Sequence, residues 1–175
     1  MTVEDVGIRI SIEAFDPAIH DRREFQSGVA QIDNFLRLNA KKQQRDGMTR
    51  VWIAVETDSS KVIGYYALNA VSLDANDLPD PLRKRAPGHG TVPGVILSMI
   101  GVHIEYQGQG IGRVLMADAR QRVEDISKQI GLAVLVLDVL KDGNPDAVEK
   151  RRQFYVARGY QPLPSRPERM FRVIV

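Results

Sequence analysis

The period of hydrophobic and polar positions changes several times along the chain, and each change marks an element. Ile8 to Ile12 alternate apolar and polar residues, which predicts a first strand. Val29, Ile32, Phe35, Leu36 and Ala40 then recur at three- and four-residue steps, the buried stripe of a helix running to about Gln44. Its other face carries Arg37, Lys41, Gln44 and Arg45. Val51 to Glu56 and Val62 to Leu73 read as two strands joined by the polar turn Thr57 to Lys61, a hairpin. Asp74 to Pro93, rich in Pro, Gly, Asp and basic residues, reads as the one long loop. Val95 to His103 is mostly apolar and fits a strand covered on both faces. From Gly110, the residues Ile111, Val114, Leu115, Arg122, Val123, Ile126 and Ile130 keep mostly helical spacing, and Gly131 stands where a helix C-terminal glycine is expected. Ala133 to Leu140, apolar except for Asp138, predicts another buried strand. Ala147 to Arg158 predicts a helix ending at Gly159, with Tyr160 and Arg169 to Val175 as closing strands. The order β-α-β-β-loop-β-α-β-α-β predicts a mixed α/β sheet. At 175 residues the whole chain, 1–175, is expected to form one domain.

Composition narrows the chemistry. With no cysteine there is no disulfide, thiolate metal site or cysteine nucleophile. His20, His89 and His103 show no helical pair spacing, which argues against a zinc enzyme. The N-terminus does not read as a signal peptide, and no apolar run reaches membrane-spanning length, so a cytoplasmic protein without a membrane partner is expected. The formal charge is only +2, yet basic residues cluster at Lys41, Lys42, Arg45 and Arg50, at Arg83, Lys84 and Arg85, and at Lys150, Arg151 and Arg152. Such clusters either guide an anionic partner such as RNA or are plain solvated surface.

Gln107-Gly108-Gln109-Gly110-Ile111-Gly112-Arg113 lies between a predicted strand and a long helix. A helix N-terminus offers unpaired N–H groups and a positive dipole end, and glycines let a pyrophosphate approach that backbone. The loop is therefore a candidate anion cradle; a tight turn without ligand is the alternative. A dinucleotide fingerprint started at Gly108 fails, because its sixth position is Arg113, and no Gly-Lys-Ser/Thr follows as a P-loop requires.

Gln107, Gly110 and Gly112 instead resemble the Q/R-x-x-G-x-G/A loop of the GNAT acetyltransferases. Phe154-Tyr155-Val156-Ala157-Arg158-Gly159-Tyr160 resembles the F-Y-x-x-x-G-F/Y motif of the same family. Phe25-Gln26-Ser27-Gly28 with Ile32-Asp33-Asn34-Phe35-Leu36, and Val62-Ile63-Gly64-Tyr65-Tyr66-Ala67-Leu68, are similar to the opening and the central strand of GNAT toxins from toxin–antitoxin pairs. The resemblance covers about Phe25 to Tyr160. It implies a GNAT fold: a mixed, mostly antiparallel sheet splayed at the cofactor site and flanked by helices. It also implies acetyl-CoA as cofactor, aminoacyl-tRNA as the acceptor, acetylated on its α-amine so that translation stalls, a homodimer, and a ribbon-helix-helix antitoxin.

On that resemblance the residues expected to hold acetyl-CoA are Ile100, Val102, Gln107, Gly108, Gln109, Gly110, Ile111, Gly112 and Arg113, the pantetheine arm lying along Val95 to His103. Tyr155 is expected to protonate the departing thiolate. Lys41, Lys42, Arg45, Arg83, Lys84, Arg85 and Asp138 are expected toward the tRNA substrate, and Asp138, Glu105 and His103 are the groups to test as a base. Met99 stands where many relatives carry Arg, Asp138 where relatives often carry His, and the Asp142 to Glu149 connection is longer than usual. These departures leave two alternatives open: a GNAT enzyme acting on a small amine or a protein lysine, and a non-catalytic module that binds CoA or a partner.

Overall fold

The computed structural model describes residues 9–174. Seven strands form one sheet in the order β1-β2-β3-β4-β5-β7-β6: β1 is Ile10–Ala14, β2 Arg50–Glu56, β3 Val62–Asp74, β4 Thr91–Val102, β5 Val134–Asp138, β6 Gln161–Pro162 and β7 Arg169–Val173. β4 and β5 run parallel, while β1–β2, β2–β3, β5–β7 and β6–β7 are antiparallel, so the sheet is mixed and mostly antiparallel. Ile8, the expected start of the first strand, lies outside the described residues, and the strand runs on to Ala14. Val175, expected in the last strand, also lies outside them. The helices are α1 (Ala30–Asn34), α2 (Ala40–Arg45), α3 (Asp80–Arg83), α4 (Ile111–Ser127) and α5 (Pro145–Val156).

The chain divides into two compact units. One takes the residues up to Asn69 together with Ser98–Gln121; the other takes Ala70–Leu97 and the chain from Arg122 onward. In the first, Phe25, Phe35, Leu36, Ile53 and Tyr65 form the core. The Tyr65 ring receives the edge of Phe25 at 5.5 Å and stacks on Phe35 at 6.1 Å. Gly101 is required there, because a Cβ would come within 2.5 Å of Ile32 Cγ2. The buried Tyr66 hydroxyl donates to the buried carboxylate of Asp118 on α4. In the second unit Leu73, Leu78, Leu82, Val134, Val136 and Phe171 form the core.

Three expectations are corrected. Asp74 to Pro93 is not one open loop: a 3₁₀ turn (Ala75–Asp77) and α3 fill it, and β4 begins at Thr91. Leu78 and Leu82 are buried, and Ala75 N–H donates to Gly90 O at 2.8 Å, so the segment is pinned despite its prolines. Pro81 sits in the first turn of α3, where its missing N–H is no loss. Second, α4 stops at Ser127 and does not end on Gly131. Gln129 and Ile130 both donate to Ile126 O, which tightens the last turn, and Gly131 is absent from the glycines at positive φ. Ile126 and Ile130 are accordingly 39% and 59% exposed. Third, α5 starts two residues before Ala147. Asn144 accepts from the N–H groups of Asp146 and Ala147 at 3.1 and 3.2 Å, and Pro145 opens the helix. Its other end matches expectation, with Gly159 at φ +81°.

Among the described residues, no helix is long and apolar enough to cross a membrane.

Candidate active site

β4 leads directly into the glycine loop. It pairs with β5 over Gly94–Leu97, and that pairing stops there. On the opposite edge His103 N–H donates to Ile63 O of β3 at 2.8 Å. Backbone groups alternate edges along a strand, so the N–H groups of Ile100 and Val102 point to the edge that β5 has left. Val102 O is taken by the Gln107 side chain, Nε2 donating at 3.0 Å.

Beyond the 3₁₀ turn Ile104–Tyr106, Gly108 and Gly110 adopt φ of +77° and +86°, values only glycine reaches without strain. The first backbone bonds that close α4 come from Arg113 and Val114, both to Gly110 O. Among the described residues, the N–H groups of Gly108, Gln109, Gly110, Ile111 and Gly112 donate to no protein acceptor. A Cβ on Gly108 would meet nothing within 4 Å, so this face of the loop is open. Arg113 folds its guanidinium back over Gly110, Nη2 lying 3.1 Å from where a Cβ would stand. Five adjacent free amides, a helix N-terminus and a guanidinium make a site for a diphosphate.

The side chains of Gln107 and Gln109 brace this loop rather than face outward. Gln107 Nε2 also donates to Ser27 O at 2.8 Å, and Gln109 Nε2 donates to Glu105 O at 3.1 Å. Ser27 is itself fixed, because Asp33 Oδ1 accepts from both its N–H and its hydroxyl at 2.7 Å. Ser27 and Asp33 are buried parts of the site that spacing alone did not assign. Their six-residue separation matches no capping box, and Val29, not Ser27, is the N-cap of α1, so spacing carried no signal for the pair.

In the other unit Tyr155 is 7% exposed, its ring packed edge-on against Phe154 at 5.5 Å and Tyr160 at 6.1 Å. Burial pushes its phenol up to about 12, opposed by the charges of Arg151 and Arg158. Its hydroxyl makes no hydrogen bond among the described residues, yet it is not enclosed, since Arg22 Nε is the one fully enclosed unpartnered side-chain atom found there. A neutral phenol that keeps an open, unpaired O–H is suited to giving up a proton.

Asp138 is held differently. Arg169 grips both its oxygens at 2.7 Å and keeps its carboxyl below the usual range, which makes it a weak proton acceptor. Glu105 is paired with Lys61 at 3.1 Å and is also held low by it. His103 is buried; its Nδ1 accepts from Glu105 N–H at 3.3 Å, and its Nε2 lies 3.3 Å from Glu24 O. It caps the turn before the loop.

The basic clusters are partly neutralised locally. Lys42 and Arg45 both pair with Asp46, at 2.8 and 3.1 Å, and Arg83 pairs with Asp80. Lys41, Lys84 and Arg85 are exposed. Lys41, Lys42 and Arg45 belong to the first unit, Arg83, Lys84 and Arg85 to the second.

A strand edge released at Leu97 and an amide cradle beginning at Gly108 are what an acyl-CoA donor needs, and a family model agrees. The acetyltransferase (GNAT) domain matches residues 47–162, and the chain belongs to that family. Within it, the chain is 43% identical over 160 residues to the probable toxin TacT of Sinorhizobium fredii, covering 91% of this chain and 88% of that one. It is 30% identical over 147 residues to a tRNA-acetylating toxin of Mycobacterium tuberculosis, covering 84% and 82%. Among solved structures, AtaT complexed with acetyl-methionyl-tRNAfMet superposes with a TM-score of 0.82 at 26% identity, over 94% of each chain. AtaTR bound with AcCoA gives 0.75 at 25% identity, over 94% and 93%.

Proposed function

We propose that this protein is a toxin that transfers the acetyl group of acetyl-CoA to the α-amine of the amino acid on a charged tRNA, so that the blocked amine no longer forms a peptide bond. The observation that carries the reading is the run of free amides at Gly108–Gly112, which fits the diphosphate of coenzyme A. The acceptor is supported by the relatives, one a tRNA-acetylating toxin and one captured with acetyl-methionyl-tRNAfMet. Both units act together as one acetyltransferase domain.

Acetyl-CoA supplies an activated thioester. The amides of Gly108, Gln109, Gly110, Ile111 and Gly112, with Arg113, hold its diphosphate, and Gln107 holds the loop. Ile100 pairs with the pantetheine arm as a further strand would, and the Val102 N–H polarises the thioester carbonyl. The amine nitrogen bonds to the acetyl carbon while the carbon–sulfur bond breaks. The amine releases a proton to water, and Tyr155 gives one to the departing thiolate. An aminoacyl ester has a weakly basic amine, neutral in part near pH 7, so no carboxylate base is required. Asp138 and Glu105 are each held ionised by a neighbouring cation, which suits neither to act as a base. Lys41, Lys42, Arg45, Arg83, Lys84 and Arg85 attract the tRNA phosphates. The protein works in the cytoplasm as a homodimer, restrained by a small antitoxin with a ribbon-helix-helix domain.

The test is incubation with labelled acetyl-CoA and a panel of charged tRNAs beside polyamines, antibiotics and lysine peptides. N-acetylated aminoacyl-tRNA is the expected product. Acetylation of a small amine or lysine instead would make it a general amine acetyltransferase, and cofactor binding without turnover would make it a binding module. Sedimentation of the purified chain checks the dimer.

A further inference from the structure

The first helix is not continuous. Between α1 and α2 the backbone opens into a π turn at Phe35–Asn39, where Ala40 N–H reaches back five residues to Phe35 O. Just before it, in α1, the Ile32 carbonyl accepts both the Phe35 N–H and the buried Tyr65 hydroxyl of β3, the latter at 2.7 Å. A π turn is one residue inserted into an α-helix, and a side chain bonding into the carbonyl ladder is a recognised cause of such a break. The extra residue turns everything beyond it by about 100°.

That rotation has a visible result. Lys41, Gln44 and Arg45 of α2 meet Arg50 and Trp52 of β2 around one cavity of about 560 Å³. Lys41 makes no ion pair among the described residues, and the Arg50 guanidinium donates to the Gln44 and Thr49 carbonyls. Gln44 staples the helix to the strand, its Nε2 donating to Phe15 O at 2.8 Å and its Oε1 accepting from Val51 N–H at 3.1 Å. Without the inserted residue each of these places would pass to the residue before it. Ala40 would stand for Lys41, and Gln44 for Arg45. Gln43 would take over the staple of Gln44, while Asn39 would enter the core place of Ala40, so the slip keeps the staple at a cost in the core.

We propose that Tyr65 is a positioning residue for the polyanionic substrate: by latching the π turn through Ile32, its hydroxyl sets the rotation that brings Lys41 and Arg45 to this cavity, where they contact RNA phosphates. The inference rests on charged tRNA being the acceptor. Tyr65 touches neither substrate.

The experiment compares steady-state kinetics of the wild type, Tyr65→Phe, a chain lacking Leu38, and Tyr65→Phe lacking Leu38. Leu38 is 72% exposed in the π turn, so its removal converts the turn to α-helix while keeping the downstream register and the core. In Tyr65→Phe the KM for charged tRNA is expected to rise about tenfold, with kcat and the KM for acetyl-CoA unchanged. The slope of log affinity against log salt should fall by about 1.5, the loss of two phosphate contacts. Removing Leu38 should leave the wild type near its own KM and return the tRNA KM of Tyr65→Phe toward it. An unchanged tRNA KM in Tyr65→Phe overturns the proposal. So does a variant that loses kcat and melts early with no recovery on deleting Leu38, since Tyr65 is then only a core residue. Should Tyr65→Phe not fold, a tenfold tRNA KM increase on deleting Leu38 alone overturns the proposal and an unchanged one supports it. A wild type that acetylates no charged tRNA, while turning over another amine, removes the proposed function and this inference with it.

Discussion

On the proposed function, Gly110 is the place where cofactor affinity and backbone geometry meet. Its φ of +86° costs an alanine about 1–2 kcal/mol, since an L side chain there crowds the following carbonyl. The added Cβ meets Arg113 Nη2 at 3.1 Å, but that is the far end of a flexible side chain and swings aside. The cost of Gly110→Ala is thus mostly backbone strain. If the loop must hold this conformation to bind, about 1–2 kcal/mol weakens acetyl-CoA roughly 5- to 30-fold. Gly110→Asp adds a charge: at about 5 Å from one phosphate charge and an effective dielectric of 20, the repulsion is about 3 kcal/mol. Asp tolerates left-handed backbone better than most residues, so the charge dominates, and affinity should fall by more than about 100-fold.

The assay is isothermal titration of acetyl-CoA into each variant, with melting measured alongside. Gly143 is the control. It has φ +82° and nothing within 4 Å of an added Cβ, but it precedes α5 in the other unit. Gly143→Ala should cost similar stability and leave acetyl-CoA affinity unchanged. Wild-type affinity in Gly110→Asp would mean that the diphosphate does not lie against this loop. Equal weakening in Gly143→Ala would mean that the loss reports general destabilisation.

Three further outcomes are expected. Tyr155→Phe should lower kcat by about 10²–10⁴ while acetyl-CoA affinity stays within a fewfold, as for loss of a general acid; unchanged turnover removes Tyr155 from the reaction. In the pH–rate profile the rate should rise as the aminoacyl amine loses its proton and then stay flat, because a phenol pushed up to about 12 keeps its proton below about pH 11; a falling limb between pH 8 and about 10 contradicts Tyr155 as the acid. Asp138→Asn should leave kcat within about twofold and cost about 1 kcal/mol, because the pair with Arg169 is partly open to solvent, the two side chains 20% and 39% exposed. Asp138 is lowered in the fold, so its contribution is present above its unfolded value, near 4, and is lost as pH falls through its folded value; urea melts at pH 7 and pH 3 should show the variant and wild type converging at the lower pH.

What could be read from the chain was what local periodicity encodes. The β2–β3 hairpin falls within a residue of its expected bounds, because alternation and a polar turn specify it. The glycine loop was readable because its glycines stand at the junction of a strand and an amphipathic helix. Partners far apart in sequence were not. Arg169 reaches Asp138 across 31 residues only because β5 and β7 pair in register. The π turn is hidden, since Ile32, Phe35, Leu36 and Ala40 fit an ordinary helix and the hydroxyl at Ile32 comes from β3. The start of α5 was missed because Asn144, Pro145 and Asp146 serve equally as loop residues and as a helix cap.

The segment at Glu24–Asp33 and the glycine loop, some eighty residues apart, are physically one construction. His103 Nε2 lies at Glu24 O, Ile104 N–H donates to Gln26 O, and Gln107 Nε2 donates to Ser27 O. Three carbonyls of one segment thus receive, in the same chain order, three groups of the other, and Asp33 holds the receiving end through Ser27. Glycines lose much freedom on ordering and supply no side chain to hold them. The order is therefore imposed from both sides by neighbours. A loop tied down through its own amides would have none left for a ligand. Here glutamine side chains and flanking backbone make the ties, and the amides of Gly108–Gly112 stay free and already aimed, which lowers the cost of binding an anion.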